Sequence, residues 1–345
     1  MESYPPAWLS GPVSDKELRP PHDRSIFAIA TQNELAVTAS ADHGLRVWDT
    51  NRGSHLRQLY NKNFGHQEWV SCCAFLKDNR ILSGSMDGSL CLWDRRVVRC
   101  ENLNQHQASI SKVATDENDI GISASYDKTL IVWDLHRINV LQRMQCSGPV
   151  MDFAWHNSLV AAGDRQGQLT LWDINTGNNV LSTVPHNGAI HKVCLSSDGG
   201  EMNFIASAGG KDGKVAITDM RTSSPVFNSQ VHGGAINFIM PSLSNTLVTG
   251  SSDKAVNVLD AFMNFRVRSK MNAPGQILCG ELFENLVAVG CSDGNVIVFN
   301  TDTEEVTFGF GADNQGGINC IATTPGRRKL ITGGDSGVPL LISFV

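Results

Sequence analysis

Three serines, a histidine and two aspartates lie close enough along the chain to suggest a nucleophilic active site. Residues 81–96 read ILSGSMDGSLCLWDRR, and His66 stands a short way before them. Ser, His and Asp are the residue types of a hydrolytic triad, in which the imidazole activates the hydroxyl and the carboxylate orients the imidazole. The alternative is that these residues belong to a building unit of the fold. The rest of the chain distinguishes the two.

The stretch recurs along the chain. Related segments occupy residues 37–49, 81–94, 121–134, 160–173, 205–219, 247–260, 287–300 and 330–343. The position of Trp48 is held in turn by Trp93, Trp133, Trp172, Thr218, Leu259, Phe299 and Ile342, at steps of 39 to 46 residues. A fixed period near forty residues indicates a repeat fold, so no motif is interpreted apart from its repeat.

Each repeat predicts four short β-strands. Apolar residues alternate, as at Leu90 and Leu92, which is the period of a strand. Asp-Gly or Asp-Lys between two such runs favours a tight hairpin, because these residues tolerate positive φ. A third run precedes each hairpin, as at 70–75, and a fourth follows it, as at 139–144. Four antiparallel strands per repeat make one propeller blade, so we predict an all-β propeller.

These motifs resemble the WD-repeat (WD40) β-propeller family over about residues 20–345. The resemblance implies one propeller domain over residues 1–345. The eight repeats predict eight blades, and seven, the commoner number in the family, is the alternative. The last repeat ends at Val345 without an outer strand. We therefore expect the N-terminal segment 1–20 to supply the closing strand, with 4–13 as its donor.

The resemblance also implies that the Ser, His and Asp residues form buried hydrogen-bonded sets with the repeat tryptophan. The matching sets are His22, Ser40, Asp42 and Trp48; His66, Ser85, Asp87 and Trp93; and His106, Ser125, Asp127 and Trp133, with Thr38, Ser83 and Ser123 as alternative hydroxyls. Buried polar groups need partners, and such a set satisfies four groups together. A catalytic triad would occur once, whereas this pattern occurs at least three times. We therefore predict a structural role, no catalytic residues and no enzyme activity.

Composition excludes several other classes. The chain has 345 residues and a net charge of −6, with short basic clusters only at 94–99 and 326–329, so a broad nucleic-acid surface is disfavoured. An RNA-associated propeller that uses Arg327, Arg328 and Lys329 is the weaker alternative. The nine cysteines include no CxxC pair, so neither a metal site nor a disulfide framework is expected. No cofactor, small-molecule substrate, membrane span or secretory signal is predicted, and the expected location is cytoplasmic or nuclear.

Large side chains at blade positions that face the top surface in the family predict a partner site. Trp69 precedes the first strand of its repeat, while Met86, Tyr126 and Arg165 stand at hairpin tips. Trp, Met, Tyr and Arg are enriched at binding hot spots. We therefore predict a non-catalytic scaffold of a multiprotein complex that binds other proteins through these four residues.

The motif WDRR at 93–96 favours an alternative function. It resembles the WDxR pattern of propellers that serve as substrate receptors of cullin-RING ubiquitin ligases, in which the arginine contacts the adaptor subunit. The resemblance implies that role for Arg96. TDMR at 218–221 is a degraded copy, with Thr218 in place of tryptophan. An arginine after a turn is also an ordinary solvated residue, so both interpretations stay open.

Overall fold

The fold consists almost entirely of β-strands. The computed structural model describes residues 11–61, 63–196, 204–242, 245–283, 285–326 and 328–344. These residues form 32 strands in eight four-stranded sheets, together with one 3₁₀ turn at Ala261–Met263. The predicted all-β architecture of eight four-stranded antiparallel blades is confirmed, and the seven-blade alternative is excluded.

The blades, numbered in chain order, take four consecutive strands each except the last. Blade 1 comprises β2 (Ile26–Gln32), β3 (Leu35–Ser40), β4 (Leu45–Asp49) and β5 (Ser54–Leu59), and blade 2 comprises β6 (Val70–Phe75), β7 (Ile81–Ser85), β8 (Leu90–Trp93) and β9 (Cys100–Asn102). Blade 3 comprises β10 (Ile110–Thr115), β11 (Ile120–Ser125), β12 (Thr129–Asp134) and β13 (Asn139–Gln145), and blade 4 comprises β14 (Val150–His156), β15 (Leu159–Asp164), β16 (Leu169–Asp173) and β17 (Asn178–Thr183). Blade 5 comprises β18 (Ile190–Ser196), β19 (Phe204–Gly209), β20 (Lys214–Asp219) and β21 (Pro225–Gln230). Blade 6 comprises β22 (Ile236–Pro241), β23 (Thr246–Ser251), β24 (Ala255–Asp260) and β25 (Arg266–Asn272). Blade 7 comprises β26 (Ile277–Phe283), β27 (Leu286–Cys291), β28 (Asn295–Asn300) and β29 (Glu305–Gly311). Blade 8 comprises β30 (Ile318–Thr323), β31 (Lys329–Gly334), β32 (Leu340–Ser343) and β1 (Ser14–Glu17).

The second and third strands of a blade are buried on both faces. In blade 2, every residue of β7 and β8 is buried, including Ser83 and Ser85. Side chains of blade 1 and blade 2 share one apolar cluster, in which Val37 and Leu45 lie with Ile81 and Trp93. Because both faces of a middle strand are covered, its polar side chains need hydrogen-bond partners within the protein.

An N-terminal strand completes the last blade, as predicted. β1 pairs antiparallel with β32, and Ser14 lies opposite Ser343. The strand begins just beyond the segment 4–13 that the sequence favoured, and residues 4–10 lie outside the described part of the chain. The next residue after β1, Leu18, is fully buried against Trp48 of blade 1 and Leu341 of blade 8. The N-terminal segment is therefore held to the last blade by a strand pair and to the first blade by an apolar contact.

The chain divides into two compact units. The first comprises residues 1–121 and 278–345, and the second comprises residues 122–277. In the second unit, Phe265 packs edge-on against Phe204 at a ring-centroid distance of 5.1 Å, within an apolar cluster of blades 5 and 6. The assignment of residues 1–345 to a single domain stays a prediction.

Candidate functional site

The triad-like residues of blade 2 form a buried set centred on Ser83. The Trp93 indole N–H donates to Ser83 Oγ at 2.9 Å, and His66 Nε2 lies 2.7 Å from the same oxygen. On the other edge of the imidazole, Nδ1 lies 2.6 Å from Ser89 Oγ. Asp87 Oδ1 accepts the Ser89 amide at 2.7 Å, so Ser89 connects the histidine to the hairpin carboxylate. Ser83 and His66 are at most 1% exposed, so a substrate has no access to the hydroxyl.

The hydroxyl of the blade 2 set differs from the predicted Ser85. Ser83 and Ser85 share one face of β7, because side chains alternate along a strand. Trp93 pairs with Ile81, so Ser83 is the nearer of the two serines to the indole. Ser85 lies at the hairpin end of the strand, where its Oγ accepts the backbone N–H of Asp87 at 3.3 Å.

Blade 1 contains the same arrangement with a threonine. The Trp48 indole donates to Thr38 Oγ1 at 3.0 Å, and His22 Nε2 lies 2.7 Å from that oxygen. His22 Nδ1 lies 2.8 Å from Asp42 Oδ2, a direct contact that blade 2 replaces with a serine. The predicted Ser40 stands outside the set, since its Oγ donates to a backbone carbonyl at 3.0 Å.

An arginine that sequence reasoning missed balances the carboxylate of blade 1. Arg46 Nη1 donates to Asp42 Oδ2 at 2.9 Å, and both side chains are at most 8% exposed. Burial alone would raise the pKa of Asp42, but hydrogen bonds from His22 and backbone amides outweigh it and hold this pKa well below its usual range. Burial also lowers the pKa of His22, although Asp42 opposes the shift. The set therefore holds a neutral imidazole and an ionised carboxylate.

In blade 3 the predicted Ser125 is again displaced by the serine two residues earlier. The Trp133 indole donates to Ser123 Oγ at 2.9 Å, whereas Ser125 Oγ accepts the backbone N–H of Asp127 at 3.1 Å. Asp127 Oδ1 also accepts the amide and hydroxyl of Thr129, at 2.9 and 2.6 Å. His106 is half-buried beside this blade.

Blades 5 and 6 keep the histidine, the hydroxyl and the carboxylate without the tryptophan. His186 lies 3.2 Å from Asp212 and 3.0 Å from Ser207. His232 lies 3.1 Å from Asp253 and 2.9 Å from Thr249. Thr218 and Leu259, both buried, occupy the tryptophan positions. In blade 4 the Trp172 indole donates to Thr170 Oγ1 at 3.1 Å. Six blades thus contain a buried hydroxyl bonded to a histidine, a tryptophan or both, which fits a structural unit and not an active site.

Two of the predicted partner residues lie together on the first unit. Trp69 is 38% exposed and its ring lies over Phe27, with a centroid distance of 5.6 Å. Met86 is 44% exposed, and its amide donates to the Trp69 carbonyl at 2.9 Å. The Met86 carbonyl in turn accepts Ser109 Oγ at 2.7 Å. We call Phe27, Trp69 and Met86 the Trp69 surface.

Sequence reasoning missed Phe27. The predicted partner site rests on two positions in each repeat, one before the first strand and one at the hairpin tip, and Phe27 occupies neither of them. The only signal was an aromatic residue in the second place of β2, where blade 2 has a serine. A large ring beneath Trp69 orients the indole without enclosing it.

The other two predicted partner residues belong to the second unit. Tyr126 is 40% exposed and follows β11 directly. Arg165 is exposed at the corresponding hairpin of blade 4, where its amide donates to the Pro149 carbonyl at 2.9 Å. Each stands at a hairpin tip, as Met86 does.

Arg96 lies in a turn that recurs in the other blades. Asp94 Oδ1 accepts the amides of Arg96 and Val97, at 2.6 and 3.0 Å. The same carboxylate-closed turn follows three further third strands, at Asp49, Asp134 and Asp219. The backbone of WDRR is therefore a general feature of the blades, and an exposed arginine also lies in the corresponding turns at Arg52, Arg137 and Arg221.

One residue of the basic cluster near the C-terminus is held by a hydrogen bond within the protein. Arg327 lies outside the described residues, and Arg328 is exposed. Lys329 Nζ donates to the Thr50 carbonyl at 2.6 Å, so this ammonium is already bound within the protein. Within the described ranges, no group of His, Cys, Asp or Glu is arranged to hold a metal ion. Nor is any helix in the described part of the chain long and apolar enough to cross a membrane.

Comparison with known proteins identifies the class. The family model for the WD domain, G-beta repeat, matches residues 57–94 and 98–134. A computationally designed protein, Ika8, is 23% identical and superposes with a TM-score of 0.84 over 95% of this chain and 99% of its own. Sqt1 of Chaetomium thermophilum, solved with the N-terminus of the ribosomal protein L10, is 17% identical with a TM-score of 0.80 over 93% of this chain and 97% of its own. The chain is therefore a WD-repeat β-propeller protein with eight blades.

A curated relative aligns over part of the chain. Autophagy-related protein 16 of Arabidopsis thaliana is 28% identical over 173 residues, which is 48% of this chain and 33% of that protein. The chain thus spans about a third of the length of this relative. The likeness to the solved structures shows the fold alone.

Proposed function

We propose that this protein is a non-catalytic scaffold that binds another protein through the Trp69 surface. One observation carries the proposal: Trp69 and Met86 are large, exposed and mutually bonded through their backbones, so their side chains are already placed for contact. Aromatic and methionine side chains yield large contact areas on burial. Tyr126 and Arg165 are proposed as further contacts on the second unit.

Three further considerations support a scaffold. WD-repeat propellers in general act as non-catalytic interaction platforms, and function on such folds lies in surface sites. The hydroxyl and imidazole groups that resemble a triad are buried and mutually satisfied. The Sqt1 structure, in which a propeller of this fold is bound to the N-terminus of another protein, illustrates that mode of binding.

Affinity purification of the tagged chain tests the proposal. Wild type, Trp69→Ala and the control Phe262→Ala are compared by mass spectrometry, with cytoplasmic and nuclear fractions purified separately. Phe262 is 75% exposed on the second unit, so its loss removes an exposed aromatic residue elsewhere. We expect a set of partners that Trp69→Ala loses and Phe262→Ala retains. Retention of every partner by Trp69→Ala would contradict the proposal.

A second candidate function is that of a substrate receptor of a cullin-RING ubiquitin ligase. It is favoured by the exposed Arg96 side chain, which follows an exposed Arg95. The test is co-purification of a cullin adaptor that Arg96→Ala abolishes. Arg52→Ala is the matched control, since Arg52 lies in the corresponding turn of blade 1 and its side chain is 84% exposed. An RNA-associated role has less support, because the net charge of the chain is −6 and Lys329 already donates to a backbone carbonyl.

A further inference from the structure

A concave site on the second unit combines an apolar floor with a cationic rim. Its cavity has a volume of about 400 Å³, within the range of ligand pockets. Leu159, Leu195 and Met220 line it and are half-buried against the core of blades 4 and 5. His156 and Arg221 line it from exposed positions. None of these residues belongs to the Trp69 surface or to the buried polar sets.

The backbone around the cavity is held in place. His156 pairs with Leu159 across the tight turn between β14 and β15. Within that turn, the carbonyl of Asn157 accepts the Trp155 indole N–H at 2.7 Å. On the opposite side, Asp219 Oδ1 accepts the amide of Arg221 at 2.7 Å. A preformed cavity avoids the cost of ordering loops when a ligand binds.

The charge at the cavity favours an anionic ligand. Among the described residues that line it, none is a carboxylate. Asp219, on the same turn as Arg221, directs Oδ1 at the amides of Arg221 and Thr222. The Arg221 guanidinium has no ion-pair partner among the described residues. A free guanidinium binds a carboxylate with paired hydrogen bonds, in a geometry that lysine cannot reproduce.

We propose that this cavity binds a peptide segment of a partner protein in which an apolar side chain stands next to a carboxylate. The apolar side chain lies on Leu159, Leu195 and Met220, where the flexible thioether adapts to its shape. The carboxylate lies at the rim against Arg221, with His156 beside it. The protein then has a second docking site whose ligand is acidic and apolar, separate from the Trp69 surface.

Selection from a random peptide library displayed on phage tests this proposal on the full chain. Wild type is the target, and Arg221→Glu is used for counter-selection. Arg137→Glu is the matched control, since Arg137 occupies the corresponding turn of blade 3 with a side chain that is 77% exposed. We expect enriched peptides in which Leu, Ile, Met or Phe adjoins Asp or Glu.

Affinities of synthetic copies of the enriched peptides complete the test. Arg221→Glu should weaken binding at least about tenfold, roughly the loss of one charge-assisted contact, while Arg137→Glu and Trp69→Ala leave it unchanged. Met220→Asp, which places a charge on the floor, should also weaken it. Failure to enrich any peptide, enrichment of basic peptides, or affinities that Arg221→Glu does not alter would overturn the proposal. Arg221→Glu decides the outcome if Met220→Asp does not fold.

Discussion

The indole N–H of Trp93 donates to the hydroxyl of Ser83 at 2.9 Å, and the same oxygen lies 2.7 Å from Nε2 of His66. One buried hydroxyl thus joins the third strand of blade 2 to the segment that precedes its first strand. Since the indole has only a donor, Ser83 accepts from Trp93 and has its own proton left for the imidazole. The serine is occupied on both sides, and its role is to satisfy two buried ring nitrogens.

Replacement of Ser83 should destabilise the protein more than replacement of Ser85. Ser83→Ala leaves two buried ring nitrogens without a partner, and each such group costs about 1–3 kcal/mol. Ser85→Ala removes one long bond of 3.3 Å to a backbone amide. The measurement is the free energy of unfolding in urea for both variants. Equal losses, or a larger loss for Ser85→Ala, would contradict the assignment of the central hydroxyl.

Acid should weaken the fold through its buried histidines. Burial lowers the pKa of His66 from 6.5 to about 4, although Asp87 opposes the shift. The unfolded chain therefore takes up a proton before the folded chain does as the pH falls. Stability from this residue is complete above pH 6.5 and is lost between pH 6.5 and about 4. Burial also lowers the pKa of His22, His186 and His232.

Unfolding at two pH values measures this effect. Between pH 7.5 and pH 5, His66 should account for a loss of about 2 kcal/mol in the free energy of unfolding. His66→Gln removes the titrating group, so its stability should depend less on pH by about that amount. His136→Gln, at an exposed turn, is the control and should keep the wild-type dependence. An unchanged dependence in His66→Gln would show that the pKa of His66 is the same in the folded and the unfolded protein, which would contradict this prediction.

Closure of the last blade should depend on Leu18. This side chain is fully buried against Trp48 and Leu341, so Leu18→Ala should cost about 2–5 kcal/mol of the free energy of unfolding. Val13→Ala is the control, because Val13 is 70% exposed although its amide bonds to Ser343. A melting temperature that Leu18→Ala leaves at the wild-type value would contradict the packing of this junction.

The repeat period and the strand pattern were sufficient to predict the architecture. The hairpin signals and the spacing of Trp48, Trp93 and Trp133 specify where strands turn, and these depend on local chemistry. The prediction of the central hydroxyl in each set was wrong because the two candidate residues, such as Ser83 and Ser85, share one face of a strand. They differ only in their distance from the indole. That distance depends on the register between neighbouring strands, and no single residue of the sequence determines this register.

The surface features depended still more on tertiary structure. Trp69 and Met86 were recognised as large side chains at repeat positions, and the structure brings their backbones within one hydrogen bond. Phe27 beneath Trp69, and Arg46 against Asp42, arise from contacts between strands that no local pattern marks. The cavity beside Arg221 joins residues of three separate segments, and no sequence pattern groups them.

The central claim is that the buried polar sets maintain the fold while the Trp69 surface binds the partner. The most direct test measures the melting temperature and the co-purified proteins of Ser83→Ala and Trp69→Ala side by side. We predict that Ser83→Ala melts several degrees lower yet retains its partners below that temperature. Trp69→Ala should melt within a few degrees of wild type and lose them. If Trp69→Ala keeps every partner, or if Ser83→Ala loses partners while fully folded, the account is contradicted.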